Sequence, residues 1–115
     1  MLTGYENVVM FGRLQGLKKS AARARARELL CEFDLEDAAG RRVSTYSGGM
    51  RRRVDIACGL VVRPEVVFLD EPTAGLDVSI QGDILNLMTR LQRELGLTYI
   101  IITHNLAVVR HISDE

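Results

Sequence analysis

Lysine is nearly missing from this chain: Lys18 and Lys19 are the only two, and the other 13 basic residues are arginines. A GC-rich coding bias produces such a skew, which carries no functional signal. An excess of either charge is missing too. Fifteen basic residues balance fifteen acidic ones, which argues against a basic footprint for nucleic acid or an anionic membrane. The two cysteines, Cys31 and Cys58, fall on separate predicted helices. They suit buried apolar positions in a reducing compartment, with no disulfide or metal role. No apolar run is long enough to span a bilayer and no signal-peptide pattern is present, so any membrane link must come through a partner. Internal repeats and low-complexity tracts are absent, as is any Gly-x-x-x-x-Gly-Lys-Ser/Thr phosphate loop. What remains is ordinary for a soluble globular chain, 47% apolar and 26% charged, with 115 residues making one modest domain or a piece of a larger one.

The first half reads as helical. Thr3-Gly4-Tyr5-Glu6 fits a capping box at a helix start. Val8, Phe11, Leu14 and Leu17 then form one apolar stripe. A second helix is expected over 19–33, with Ala22, Ala26, Leu29, Leu30 and Phe33 inward and its arginines outward. Residues 34–45 read as a loop with one helical turn. Ser47 caps a third helix running to about 62, with Val54, Ala57 and Val61 inside and Pro64 as its breaker. The second half alternates. A buried strand over 65–69 precedes a helix over 79–95, whose Ile80, Ile84, Leu87, Met88, Leu91 and Leu95 share one face. Gly96 ends that helix, a second buried strand covers 97–102, and Asn105 caps a last helix. Strand, helix and strand make one parallel unit.

The twelve residues from Val66 to Asp77 carry the most chemistry. Four apolar residues run into Asp70 and Glu71, and a turn with Pro72 and Gly75 follows. A parallel strand delivers acids in this way to the C-terminal edge of a sheet, where ligands of open α/β folds bind. Asp70 is then placed to hold a metal ion and Glu71 to deprotonate a water, the acid half of a nucleoside triphosphatase. Other features are weaker alone. Ser47-Gly48-Gly49 before a helix is usually only a helix start. A histidine after a strand, His104, is more often structural than catalytic. Gly75-Leu76-Asp77 in a turn means little by itself.

Together and in this order, these residues resemble the ATP-binding-cassette ATPases, the engines of ABC transporters. The family's Leu-Ser-Gly-Gly-Gln signature stands here as Tyr46-Ser47-Gly48-Gly49-Met50. The Walker B strand and acid pair stand as Val66 to Glu71, followed by Pro72-Thr73. The D-loop stands as Ala74-Gly75-Leu76-Asp77, and the switch histidine as Thr103-His104. The resemblance implies ATP and Mg²⁺ as cofactors and an α/β fold: a helical (signature) subdomain over 1–62, then over 63–115 part of a P-loop NTPase core, a parallel β-α-β unit lacking the P-loop strand. It also implies roles. Ser47, Gly48 and Gly49 grip the γ-phosphate of ATP on the opposite subunit of a head-to-tail dimer, and backbone amides at a helix start suit that task. Asp70 holds Mg²⁺ through water, Glu71 is the general base, His104 keeps the water in line, and Asp77 crosses the dimer interface. The implied partners are a second nucleotide-binding subunit and a membrane permease, with no nucleic acid. The implied location is cytoplasmic, peripheral to the membrane.

Tyr46 and Met50 depart from the commonest signature residues, and Met50 lacks a glutamine's hydrogen bonds. Arg51, Arg52 and Arg53 read as a solvated helix face, or as electrostatic support for the cross-dimer nucleotide. Because the family's P-loop precedes its helical subdomain, the chain is expected to be an internal fragment without ATPase activity of its own. Its first half resembles daunorubicin-type drug exporters and its 78–113 stretch resembles oligopeptide and dipeptide importers, so the resemblance points two ways on transport direction. A recombined gene or an unusual subfamily both give that pattern. Two other readings stand beside the transporter: a signature surface acting in trans on a partner's ATP, and a non-transport relative in DNA repair or translation. The β-branched, uncharged run Thr98 to Thr103 is expected to leave an aggregation-prone edge.

Overall fold

A computed structural model describes residues 2–103. The chain divides into two compact units, Met1–Pro64 and Glu65–Glu115.

The first unit is helical: α1 (Gly4–Leu14), α2 (Lys19–Glu32) and α3 (Gly48–Gly59), with two short 3-10 turns at Glu36–Ala38 and Val43–Thr45 between the last two. The expected capping box is present at α1. The Thr3 hydroxyl accepts from the Glu6 amide at 3.1 Å, and the Glu6 carboxylate accepts from the Thr3 amide at 2.9 Å. The face that α1 buries differs from the expected stripe. Gly4, Val8 and Gly12 are its buried residues, whereas Phe11 and Leu14 are exposed, Leu14 by 74%. The reason is close approach. A Cβ on Gly12 would lie 3.1 Å from the Ala22 Cβ and 3.2 Å from a Val61 methyl. The helix therefore packs through its glycines, a device that counting large apolar residues does not find.

The inward face of α2 is as expected, since Ala22, Ala26, Leu29, Leu30 and Phe33 are all buried. One of its arginines is not outward. Arg25 is only 9% exposed. The third helix stops at Gly59, short of 62, and Arg63 takes a left-handed φ of 54° just before Pro64. Val54, Ala57 and Val61 are buried as expected, and Ile56, Cys58 and Leu60 join them. Cys31, expected inside, is exposed.

The second unit is β1 (Val66–Asp70), α4 (Val78–Leu95) and β2 (Thr98–Ile102). The strands are parallel, registered from Val66 on Thr98 to Asp70 on Ile102. The ladder is extended at both ends, by Thr98 N–H to Glu65 C=O at 3.0 Å and Glu71 N–H to Ile102 C=O at 2.7 Å. Asp77 caps α4, its carboxylate accepting from the Ile80 amide at 2.9 Å. Gly96 ends it at φ 67°, a left-handed position that glycine fills without a Cβ penalty. Ile84, Leu85, Leu87, Met88 and Leu91 are buried along α4, while Leu95 is exposed. The strands are not buried throughout, contrary to expectation. Val67 is buried, but Val66, Phe68, Ile100 and Ile102 are exposed, Phe68 by 72%. An unbroken apolar run suits a strand covered on both faces; here one face is open. The expected helix capped by Asn105 lies outside the described residues.

Candidate functional site

Two groups of site residues can be described, one in each unit. In the first, Ser47 has extended backbone and caps α3, its hydroxyl accepting from the Met50 amide at 3.2 Å. Gly48 and Gly49 are the first two residues of the helix, so their amides have no carbonyl partner within it. Gly48 is exposed and Gly49 buried. The turn is braced from behind. The Arg51 guanidinium donates to the Ser44 carbonyl at 3.1 Å. The Tyr46 hydroxyl donates to the Ala38 carbonyl at 2.6 Å. Burial pushes the Tyr46 phenol up, while Arg41 nearby and the Gly4 amide pull it the other way. Arg52 and Arg53 are half-buried, so the expected solvated arginine face holds only for Arg51.

In the second unit, β1 carries Asp70 to its exposed C-terminal end. Glu71 follows in a left-handed conformation, φ 49°, which few non-glycine residues adopt. Its backbone is tied on both sides, the amide to Ile102 and the carbonyl to the Ala74 amide at 3.0 Å. The Thr103 hydroxyl donates to the Glu71 carboxylate at 3.4 Å. The turn ends on Asp77, whose carboxylate is engaged as the cap of α4. Gln81 closes the same turn, its side-chain amide donating to the Leu76 carbonyl at 2.9 Å. So Asp70, Glu71 and Asp77 stand on one strand-turn-helix. His104 lies outside the described residues.

Sequence reasoning missed Gln81, the brace role of Tyr46 and the hydroxyl at Thr103 on the acid. Gln81 had a signal, a long amide one helical turn past the capping acid. Tyr46 and Thr103 act over gaps of 8 and 32 residues and had none.

The donor set decides what ion fits. Among the described residues no group of three or more His, Cys, Asp or Glu side chains could hold a metal. Hard oxygen donors at Asp70 and Glu71 suit Mg²⁺, which is commonly held by one or two carboxylates together with waters and substrate phosphates. The residues therefore fit Mg²⁺ arriving with a nucleotide and do not form a cage for it alone. No helix among the described residues is long and apolar enough to cross a membrane.

The sequence profile of the ABC transporter family matches residues 1–74. The doxorubicin resistance ATP-binding protein DrrA of Mycobacterium tuberculosis is 55% identical over 114 residues, 99% of this chain and 34% of that protein. The oligopeptide transport ATP-binding protein AppF of Bacillus subtilis is 51% identical over 89 residues, 76% of this chain and 27% of the relative. Among solved structures, cbiO1 from Clostridium perfringens, part of the ABC transporter complex cbiONQ, superposes with a TM-score of 0.84 at 36% identity. It covers 93% of this chain, which covers 43% of it. The chain thus spans about a third of the length of the curated relatives it matches. On the family match and these relatives together, the chain belongs to the ABC transporter ATP-binding family.

Proposed function

We propose that this chain supplies the signature turn and the Walker B acids of an ABC transporter ATPase, coupling ATP hydrolysis to transport across a membrane through a permease partner. The observation that carries it is the acid pair at the end of a parallel strand, with Glu71 pinned in a left-handed turn and its carboxylate held by Thr103. In this reading 1–62 is the signature subdomain and 63–115 part of the nucleotide core. Asp70 holds Mg²⁺ with the triphosphate, and the bound ion neutralises phosphate charge. Glu71 accepts the proton of the attacking water. His104 orients that water. Ser47, Gly48 and Gly49 offer amides to the γ-phosphate on a second, head-to-tail nucleotide-binding subunit. Asp77 lies at that subunit boundary. The relatives named for doxorubicin resistance match 99% of the chain and those named for peptide transport 76–86%, which supports the drug-efflux reading first.

A chimera tests this. The matching 114 residues of Mycobacterium tuberculosis DrrA are replaced by those of this chain. The expected result is Mg²⁺-dependent ATP turnover within about tenfold of the parent. Glu71→Gln should lower it by a factor on the order of 100 or more while ATP still binds. A folded chimera that binds ATP and does not turn it over refutes the proposal. The isolated chain, whose sequence has no P-loop, is expected to show no turnover. Added instead to a P-loop-bearing subunit, it separates a trans-acting role from none.

A further inference from the structure

Tyr46 occupies an unusual place. It directly precedes the capping Ser47, its ring is 5% exposed, and its hydroxyl reaches the Ala38 carbonyl. The same hydroxyl fills the space above Gly4, the first residue of α1. A Cβ on Gly4 would run into the Tyr46 oxygen and would lie 3.1 Å from the carbon that bears it. Gly4 has no left-handed φ, so it is required there for space, not for conformation. The backbone around it is stitched to the same loop. Gly4 N–H donates to Arg41 C=O and Tyr5 N–H to Ala39 C=O, each at 3.1 Å, and Thr3 bridges Arg42. Arg41 lies over the Tyr46 ring, 5.9 Å from its centroid.

We infer that Tyr46 is a positioning residue for the phosphate-facing turn: its phenol, seated on Gly4 and anchored on Ala38, sets the orientation of Ser47 and so ties the start of α1 to the signature 42 residues later. This rests on the reading of Ser47, Gly48 and Gly49 as phosphate-facing amides. A leucine in the same place would fill the cavity but could not reach the Ala38 carbonyl. The glycine and the tyrosine are therefore matched. A shift of the α1 start displaces the hydroxyl, and with it the cap.

The test is residue-resolved amide hydrogen exchange on the full 115-residue chain. The Met50 amide reports the Ser47 hydroxyl and the Arg51 amide reports the Ser47 carbonyl. Tyr46→Phe keeps the ring and removes the anchor. It should speed exchange at Met50 and Arg51 by about tenfold and leave the amides of Ala22 in α2 and Phe33 at its C-cap within about twofold. Gly4→Ala should speed the same two amides, although it lies far away in sequence. In the Tyr46→Phe background Gly4→Ala should add clearly less than it does alone, because the oxygen it collides with is gone and only the 3.1 Å approach to the ring carbon remains. Additive effects, uniform acceleration along the chain, or no change at Met50 and Arg51 each overturn the inference. No nucleotide enters this readout. An inactive chimera with the exchange pattern intact would sink the ATPase reading and leave the Gly4–Tyr46 coupling standing.

Discussion

Glu71 and Ile102 are joined by a backbone hydrogen bond of 2.7 Å, one step past the last register of the parallel ladder. That bond holds Glu71 at φ 49°, a conformation costing on the order of 1–2 kcal/mol for a residue with a Cβ. The strain sits on the side chain proposed as the base, where function and stability conflict. Glu71→Gly is expected to raise urea stability by about 0.5–1 kcal/mol while removing the carboxylate, and Glu71→Val to lower it by about 1 kcal/mol or more. Equal stabilities of the three in urea titrations would show that the turn is not strained.

Within the first unit, Arg25 binds the exit of α3 in a comparably specific way. It is a buried guanidinium whose donors are shared among the Val61 carbonyl at 3.3 Å, the Leu60 carbonyl at 3.1 Å and the Glu28 carboxylate at 3.0 Å. These carbonyls follow α3; that of Leu60 also accepts from the Arg63 amide at 3.0 Å, whereas that of Val61 is met by Arg25. Burial lowers the Arg25 pKa, with Glu28 opposing. Arg25→Met should cost about 1–3 kcal/mol, because it strands the Val61 carbonyl. Arg25→Lys should recover only part of that, since one ammonium cannot reproduce the fork. Glu28→Gln, at a half-exposed carboxylate, should cost under about 1 kcal/mol. Chemical denaturation of the three variants checks the order, and a Glu28 loss as large as the Arg25 loss would contradict it.

Helix starts were legible because caps are local chemistry. Thr3 and Ser47 each accept from an amide three residues on, and the residue types alone announce that; Asp77 does the same for α4, a cap that its reading as an interface acid passed over. Gly96 announced a left-handed end in the same manner. The acid pair was legible from the apolar run before it. The packing face of α1 was not, because Gly4 and Gly12 work by what they lack. Nor was Arg25, whose burial depends on carbonyls 35 and 36 residues away. The left-handed backbone at Glu71 had no marker either, since glutamate does not signal positive φ. The site roles were read from pattern, and their geometry came from contacts that pattern does not encode.

The two thiols should behave differently. Cys58 is buried, and its pKa is pushed up to about 12 by that burial, with Asp55 adding. Cys31 is exposed, and its pKa is raised mainly by a hydrogen bond to Glu36, with further acids behind. Thiolate is the reactive form. A disulfide reagent at pH 8 should therefore label Cys31 slowly and Cys58 only on unfolding. Glu36→Gln should quicken Cys31 and leave Cys58 unchanged. Labelling of both thiols at one rate in the folded chain would refute the assignment.

The open face of the sheet carries the last expectation. Val66, Phe68, Ile100 and Ile102 are exposed, and Phe68 faces Ile100 in register. An exposed apolar patch on a two-stranded sheet invites association with like surfaces. The run Thr98 to Thr103 adds β-branched side chains without charge. The 115-residue chain should therefore self-associate as concentration rises. Phe68→Thr with Ile100→Thr keeps strand propensity while removing apolar area. It should restore a monomer at several-fold higher concentration by light scattering, without loss of the α4 cap at Asp77. The argument distinguishes face from edge. If the double variant associates as strongly as the parent, the backbone edge of the sheet drives assembly. A parent chain that stays monomeric at high concentration would show that neither surface does.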